Sequence, residues 1–187
     1  MTCKGNGWVR PSVYQAMYNA ITRSIEPELV PALRRYGIDL VVYNPIAGGL
    51  FSGKIRTKDM IPESGRYSDQ SPMGQMYRER YIKDDTLRAL QIIEPVAAKH
   101  GLTMIEIALR WLVHHSILRI VGGDDGIIIG VSSKEQISSN LDNLEKGPLP
   151  YEVTQALDDA WAVTKAGAAN YWHQNLEYGY EFDAETT

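Results

Sequence analysis

With 187 residues, 44% hydrophobic and 22% charged, the chain has the composition of a globular domain large enough to bury a core. A net charge of −4 and the lack of a basic stripe argue against nucleic acid or an anionic membrane as partner. Cys3 is the only cysteine, so no internal disulfide can form; with no apolar leader and no apolar run near the ~20 residues needed to span a bilayer, the expected compartment is the cytoplasm.

Residues 1–10 are short, polar and glycine-containing. Pro11 to Tyr18 then reads as a strand that carries Gln15 among apolar neighbours. A buried amide needs hydrogen-bond partners, supplied either by a ligand or by neighbouring backbone. Ile25 to Tyr36 reads as a helix, with Pro27 in its first turn, Leu29, Ala32, Leu33 and Tyr36 on one face, and Gly37 in the place of a C-terminal glycine. The apolar, β-branched run Ile38 to Tyr43 follows as a strand that Pro45 ends. Strand, helix, strand is the unit of a parallel sheet.

At the carboxyl end of that second strand lie Gly48, Gly49, Ser52, Gly53 and Lys54. Free backbone N–H groups beside a lysine suit an anion, and in α/β proteins ligands sit at the carboxyl ends of strands. Two readings stay open: a cradle for a phosphate-bearing cofactor, or a glycine-rich connection that only has to turn. Gly48, Gly53 and Lys54 also have nucleotide-triphosphatase spacing, but Ile55 stands where the Mg²⁺-binding Ser or Thr belongs and no regular apolar helix follows.

From Ile55 to Asp84 the periodicity is lost among Pro62, Gly65, Pro72 and Gly74, as in a long loop or lid. Lys54 and Arg66 are either phosphate or substrate contacts or solvated surface charges. Asp84 to His100 predicts a helix that Pro95 should kink, and Thr103 with Glu106 forms a capping box that opens another. His114 and His115 near its end point about 100° apart, a poor pair of metal ligands, and no metal is expected.

Residues 123–126 read as a turn and Gly126 to Val131 as a fully apolar strand. Ser133 and Gln136 form a second capping box, whose free N–H groups either bind an anion or are simply capped. Pro150 opens a last helix with Val153, Leu157, Ala160 and Trp161 on one face. The aromatic tail that includes Trp172 and His173 either covers a pocket mouth or is a loosely packed terminus. The expectation is one α/β domain over residues 1–187, made of three parallel strands with their helices.

The runs GWVRPSVYQAMYNAITRSIEPEL, YNPIAGGLFSGK, ALRWLVHHS and IIIGVSSKEQISSNL, in this order, closely resemble the aldo-keto reductase superfamily, and among its branches the aflatoxin-aldehyde reductases. The resemblance runs from about Gly7 to His173. It implies the C-terminal part of a (β/α)8 barrel and an NADP(H)-dependent reduction of an aldehyde or ketone, a chemistry that relatives use in detoxification and secondary metabolism. By position, Gln15 matches the glutamine on the nicotinamide carboxamide and Tyr43 the aromatic stacked on the nicotinamide. Asn44, Pro45, Ile46, Ala47, Gly48, Gly49, Leu50, Ser52, Gly53 and Lys54 match the loop over the pyrophosphate. Arg66 matches an arginine that reaches the cofactor, and Ser132, Ser133, Gln136 and Asn140 match the segment that holds the adenosine end. Gln136 stands where many relatives carry the arginine for the 2′-phosphate, which leaves Lys134, Lys54 or Arg66 for that role. Trp172 and His173 fall in the part that closes the substrate pocket, with His173 in place of the arginine of carboxylate-accepting relatives. The family's catalytic Asp, Tyr, Lys and His have no match here. The resemblance therefore implies a shortened NADP-dependent oxidoreductase without its proton-transfer residues, or a non-catalytic NADP(H)-binding module, with a homo-oligomer or partner supplying the missing half-barrel.

Overall fold

The computed structural model describes residues 2–172. After a short helix α1 (Thr2–Asn6), the elements run β1 (Val13–Met17), α2 (Leu29–Tyr36), β2 (Asp39–Tyr43), a 3-10 turn (Ala47–Ser52), α3 (Gly74–Tyr81), α4 (Asp84–Lys99), α5 (Met104–His114), β3 (Gly126–Ile127), α6 (Lys134–Glu145) and α7 (Tyr151–Thr164). The three strands form one parallel sheet in the order β1-β2-β3, with Gln15 opposite Val41 and Met17 opposite Tyr43. The chain is thus an α/β protein with a parallel sheet, as its strand–helix alternation predicts.

Alternation along the strands separates two faces. Ala16, Leu40 and Val42 point into the core and are fully buried. The opposite face is covered only at its carboxyl end, where the Tyr81 hydroxyl of α3 donates to Met17 Sδ. Towards the amino end Val13 is 55% exposed and Gln15 is exposed, while Val41 is half-buried. This corrects the expectation of a buried glutamine: Gln15 lies on the part of that face that none of the described residues covers.

Three other expectations change. β3 is two residues long rather than the whole of 126–131; among the described residues it has a neighbour on one side only, and after one further bond, from the Ile128 amide to the Val42 carbonyl, the chain leaves the ladder. The segment 55–84 contains a helix, α3, whose polar surface hides it from periodicity while Gly74 and Tyr81 are buried. α2 begins at Leu29, after a turn, rather than at Ile25. α4 runs through Pro95 as one helix.

The predicted caps hold with a variation. The Glu106 amide donates to Thr103 Oγ1 at 3.1 Å, but the Glu106 carboxylate turns away to Arg110 and Lys146. At α6 the Gln136 amide donates to Ser133 Oγ, and the Gln136 side chain accepts from the Ser132 amide rather than from that of Ser133. Gly37 ends α2 in the left-handed region, as predicted. Among the described residues no helix is long and apolar enough to cross a membrane.

Candidate functional site

β2 delivers its chain to the carboxyl edge of the sheet at Tyr43, where the backbone at once becomes unusual. Asn44 and Ala47 have positive φ (58° and 51°), and Gly48 and Gly49 follow with positive φ as well. Non-glycine residues occupy this region at a cost, so the surroundings must hold them there. Ala47, Leu50 and Phe51 do so from below, fully buried in the core, and Pro45 is buried beside them. Pro45, Ala47 and Leu50 therefore anchor the loop, while Gly48, Gly49, Ser52 and Gly53 form its accessible backbone and Lys54 is exposed.

The Asn44 side chain is the node. Its amide nitrogen donates to the Tyr81 hydroxyl at 3.2 Å, and its Oδ1 accepts from the Tyr77 hydroxyl at 3.3 Å and from Arg66 Nη1 at 3.4 Å. Its carbonyl accepts from Asn19 Nδ2. Tyr67 donates to the Ala47 carbonyl at 2.6 Å, and Tyr77 lies so close over Gly48 that an added Cβ would fall 2.7 Å from its ring. Burial pushes the Tyr67 and Tyr81 phenols up, so both remain donors across the physiological range. The segment 66–81 thus sits as a tyrosine-lined cover on the glycine loop. Sequence reasoning missed these tyrosines because Tyr67 lies outside any helix and Tyr77 and Tyr81, four apart on α3, stand among polar residues.

Arg66 joins the two halves of the site. Its guanidinium lies 5.7 Å from the Tyr77 ring centroid, and Nη2 stands 2.7 Å from where a Cβ on Gly130 would be. Gly130 precedes the Ser132–Asn140 segment, so Arg66 touches the loop after β2 and the chain after β3 together. Beyond it lies a cleft of about 530 Å³ between the glycine loop and α6, lined by Ser52, Gly53, Arg56, Glu94, Gln136 and Asn140 among others. Asn140 is 8% exposed and lines this cleft. Ser132 and Ser133 are exposed at the same end of α6.

Gln15 and Tyr43 share the uncovered face of the sheet, on neighbouring strands. Trp172 lies elsewhere: it packs edge-on against Tyr171, which donates to Glu28 just ahead of α2. His173 lies outside the described residues. His114 and His115 make hydrogen bonds to the chain between α6 and α7. Among the described residues no three of His, Cys, Asp and Glu come together as a metal site.

Parallel strands with a glycine-rich loop and a capped helix start at one edge place the chain among α/β proteins, a class that binds ligands at the carboxyl ends of its strands. A model of the aldo/keto reductase family matches residues 1–162, and the chain belongs to that family. It is 44% identical over 170 residues to an aldo-keto reductase of Pseudocercospora fijiensis, covering 91% of this chain and 57% of that protein. It is 43% identical over 176 residues to the aldo-keto reductase pigE of Monascus ruber, and 42% identical over 176 residues to aflatoxin B1 aldehyde reductase member 2 of Rattus norvegicus. Each of these alignments covers 91% of this chain, and 51% and 47% of the two relatives. The chain spans about half the length of the curated relatives it matches.

Proposed function

We propose that the chain is the cofactor-binding C-terminal part of an NADP(H)-dependent aldo-keto reductase that reduces an aldehyde or ketone to an alcohol. The observation that carries this reading is the meeting of the Asn44–Lys54 loop and the Ser132–Asn140 segment: Arg66 reaches from Asn44 to Gly130, and Ser52, Gly53, Gln136 and Asn140 line one cleft. These donors fit a dinucleotide. Backbone N–H groups of the glycine loop and the Lys54 and Arg66 cations suit a pyrophosphate, and Ser132, Ser133, Gln136 and Asn140 suit an adenosine. Gln15 can hold a carboxamide while the Tyr43 ring supports a flat heterocycle on the same sheet face. Bound there, the nicotinamide supplies hydride to a carbonyl carbon.

No residue of this chain takes the proton-donor role in the reading. The matching Asp, Tyr, Lys and His belong to a half-barrel that these 187 residues do not include, so the catalytic set comes from elsewhere in the assembled enzyme. A second reading shares the site but not the chemistry: a non-catalytic NADP(H)-binding module that needs a partner. The uncovered sheet face at Val13 and Gln15 favours a covering partner in either case.

Fluorescence titration of the chain with NADPH, with NADH as control, tests the reading. Saturable NADPH binding is the expected outcome, and a folded chain that binds neither dinucleotide overturns it. A carbonyl-reduction assay separates the two readings: the reductase part gains turnover when the missing half-barrel is supplied, whereas the module binds NADPH without turnover in every assembly.

A further inference from the structure

The cleft beside α6 has an arginine in its wall that is held across the opening by a carboxylate. Both oxygens of Glu94, on α4, accept from Nη1 of Arg56, and Gly53 lies beside the pair. A Cβ on Gly53 would lie 3.4 Å from Arg56 Nη2 and 3.7 Å from Glu94 Oε1. The cations that the sequence offers for a 2′-phosphate are placed elsewhere: Arg66 is at Asn44 and Gly130, and neither Lys54 nor Lys134 lines the cleft.

We propose that Arg56 and Glu94 together decide between a 2′-phosphorylated and a 2′-hydroxylated adenosine, Arg56 leaving Glu94 to take the phosphate. This rests on the cofactor reading above and adds the residue pair that sets its specificity. The Arg56 side chain is 57% exposed and that of Glu94 27%, and an ion pair so open to water is weak and readily exchanged. A phosphate dianion carries more charge than a carboxylate and offers more acceptor oxygens to the planar guanidinium fork. Glu94 acts in the opposite sense: its carboxylate repels the dianion but accepts a hydrogen bond from a ribose hydroxyl. Gln136 is neutral and brings no charge to a phosphate dianion, and its side-chain oxygen is held by the Ser132 amide and hydroxyl. Asn140, which lines the same cleft, remains for the rest of the nucleoside.

Calorimetric titration of the 187-residue chain with adenosine 2′,5′-bisphosphate and with adenosine 5′-monophosphate isolates this end of the site from the nicotinamide. Arg56→Gln is expected to weaken the bisphosphate by about tenfold, the scale of a lost charge-assisted hydrogen bond, and to leave the monophosphate within about twofold. Glu94→Gln is expected to tighten the bisphosphate severalfold. Arg56→Lys, which keeps charge but not the fork, should fall between wild type and Arg56→Gln, and it guards against a variant that merely misfolds. If Arg56→Gln weakens both nucleotides equally, or neither, the discriminator is overturned while the cofactor reading stands. A wild-type chain that binds neither nucleotide overturns both.

Discussion

Asp125 accepts four hydrogen bonds, two from the Arg34 guanidinium and one each from the Leu40 and Arg119 amides, with its side chain 1% exposed. Burial by itself pushes its carboxyl up, but the bonds from Arg34 and the two amides outweigh it and hold the group below the usual carboxylate range. The carboxylate therefore ties α2, the start of β2 and the turn before β3 at the amino end of the sheet. Asp125→Ala strands the Arg34 cation and two buried amides, and the expected cost is about 3–5 kcal/mol in urea unfolding. Asp125→Asn, which keeps one acceptor oxygen, should cost less. A loss within experimental error for Asp125→Ala would show that the cluster does not hold the sheet. Because the folded-state pKa is lowered, this stabilisation is present above the ordinary carboxyl value and is lost as pH falls through the folded one. In the sequence Asp125 is only part of a turn. Arg119 is six residues away, but Leu40 and Arg34 are 85 and 91 residues away, beyond the reach of local pattern. The Asn44 node was legible as a loop position but not as a hub, for the same reason.

Among the elements, α5 holds the connection between α6 and α7 with a row of side chains. Arg110 donates to the Gly147 and Pro148 carbonyls, Glu106 pairs with Lys146, and His114 Nε2 donates to the Lys146 carbonyl at 2.7 Å. His115 does the reverse: its Nε2 accepts from the Leu149 amide at 2.8 Å and must be unprotonated to do so. Burial, then the neighbouring His114 and Arg110, push its pKa down, against a smaller upward pull from Asp158. A lowered folded-state pKa means the stabilisation is complete above the ordinary histidine value of 6.5 and is lost as pH falls below it towards and through the folded value. Thermal melts at about pH 7.5 and about pH 5.5 check this, a window set by the ordinary histidine range. His115→Gln keeps an acceptor that does not titrate, so its melting temperature should fall less on acidification than that of wild type. Equal falls would remove His115 as the cause. The sequence placed this helix and its Thr103 cap correctly, because both are written in adjacent residues. It did not give the strap, which joins residues more than thirty positions apart.

On the scale of the whole molecule, the fold class was legible because β2 and β3 lie in apolar, β-branched runs and helices alternate with the strands along the chain. The length of β3 was not, since strand length depends on a neighbour as much as on composition. The same dependence bears on association. Val13 and Ile128 lie on the uncovered sheet face at 55% and 40% exposure, and β1 has a strand on one side only among the described residues. An open edge next to apolar surface favours pairing with another chain. Sedimentation velocity over a range of concentrations is therefore expected to show self-association, and a cooperatively melting monomer at high concentration would contradict it.

The Asp125 cluster also imposes an order in time. Arg34 and the Leu40 amide leave the ribosome long before the carboxylate that will receive them, 91 and 85 residues further along. At about 5–20 residues per second, that interval lasts roughly 4 to 18 s. Throughout it, the side of β2 that will receive β3 has no partner strand, and the nascent α2–β2 pair depends on β1 and on whatever shields it. Slowing translation between positions 40 and 125 is therefore expected to lengthen that exposed interval, which follows from the spacing of a single ion pair.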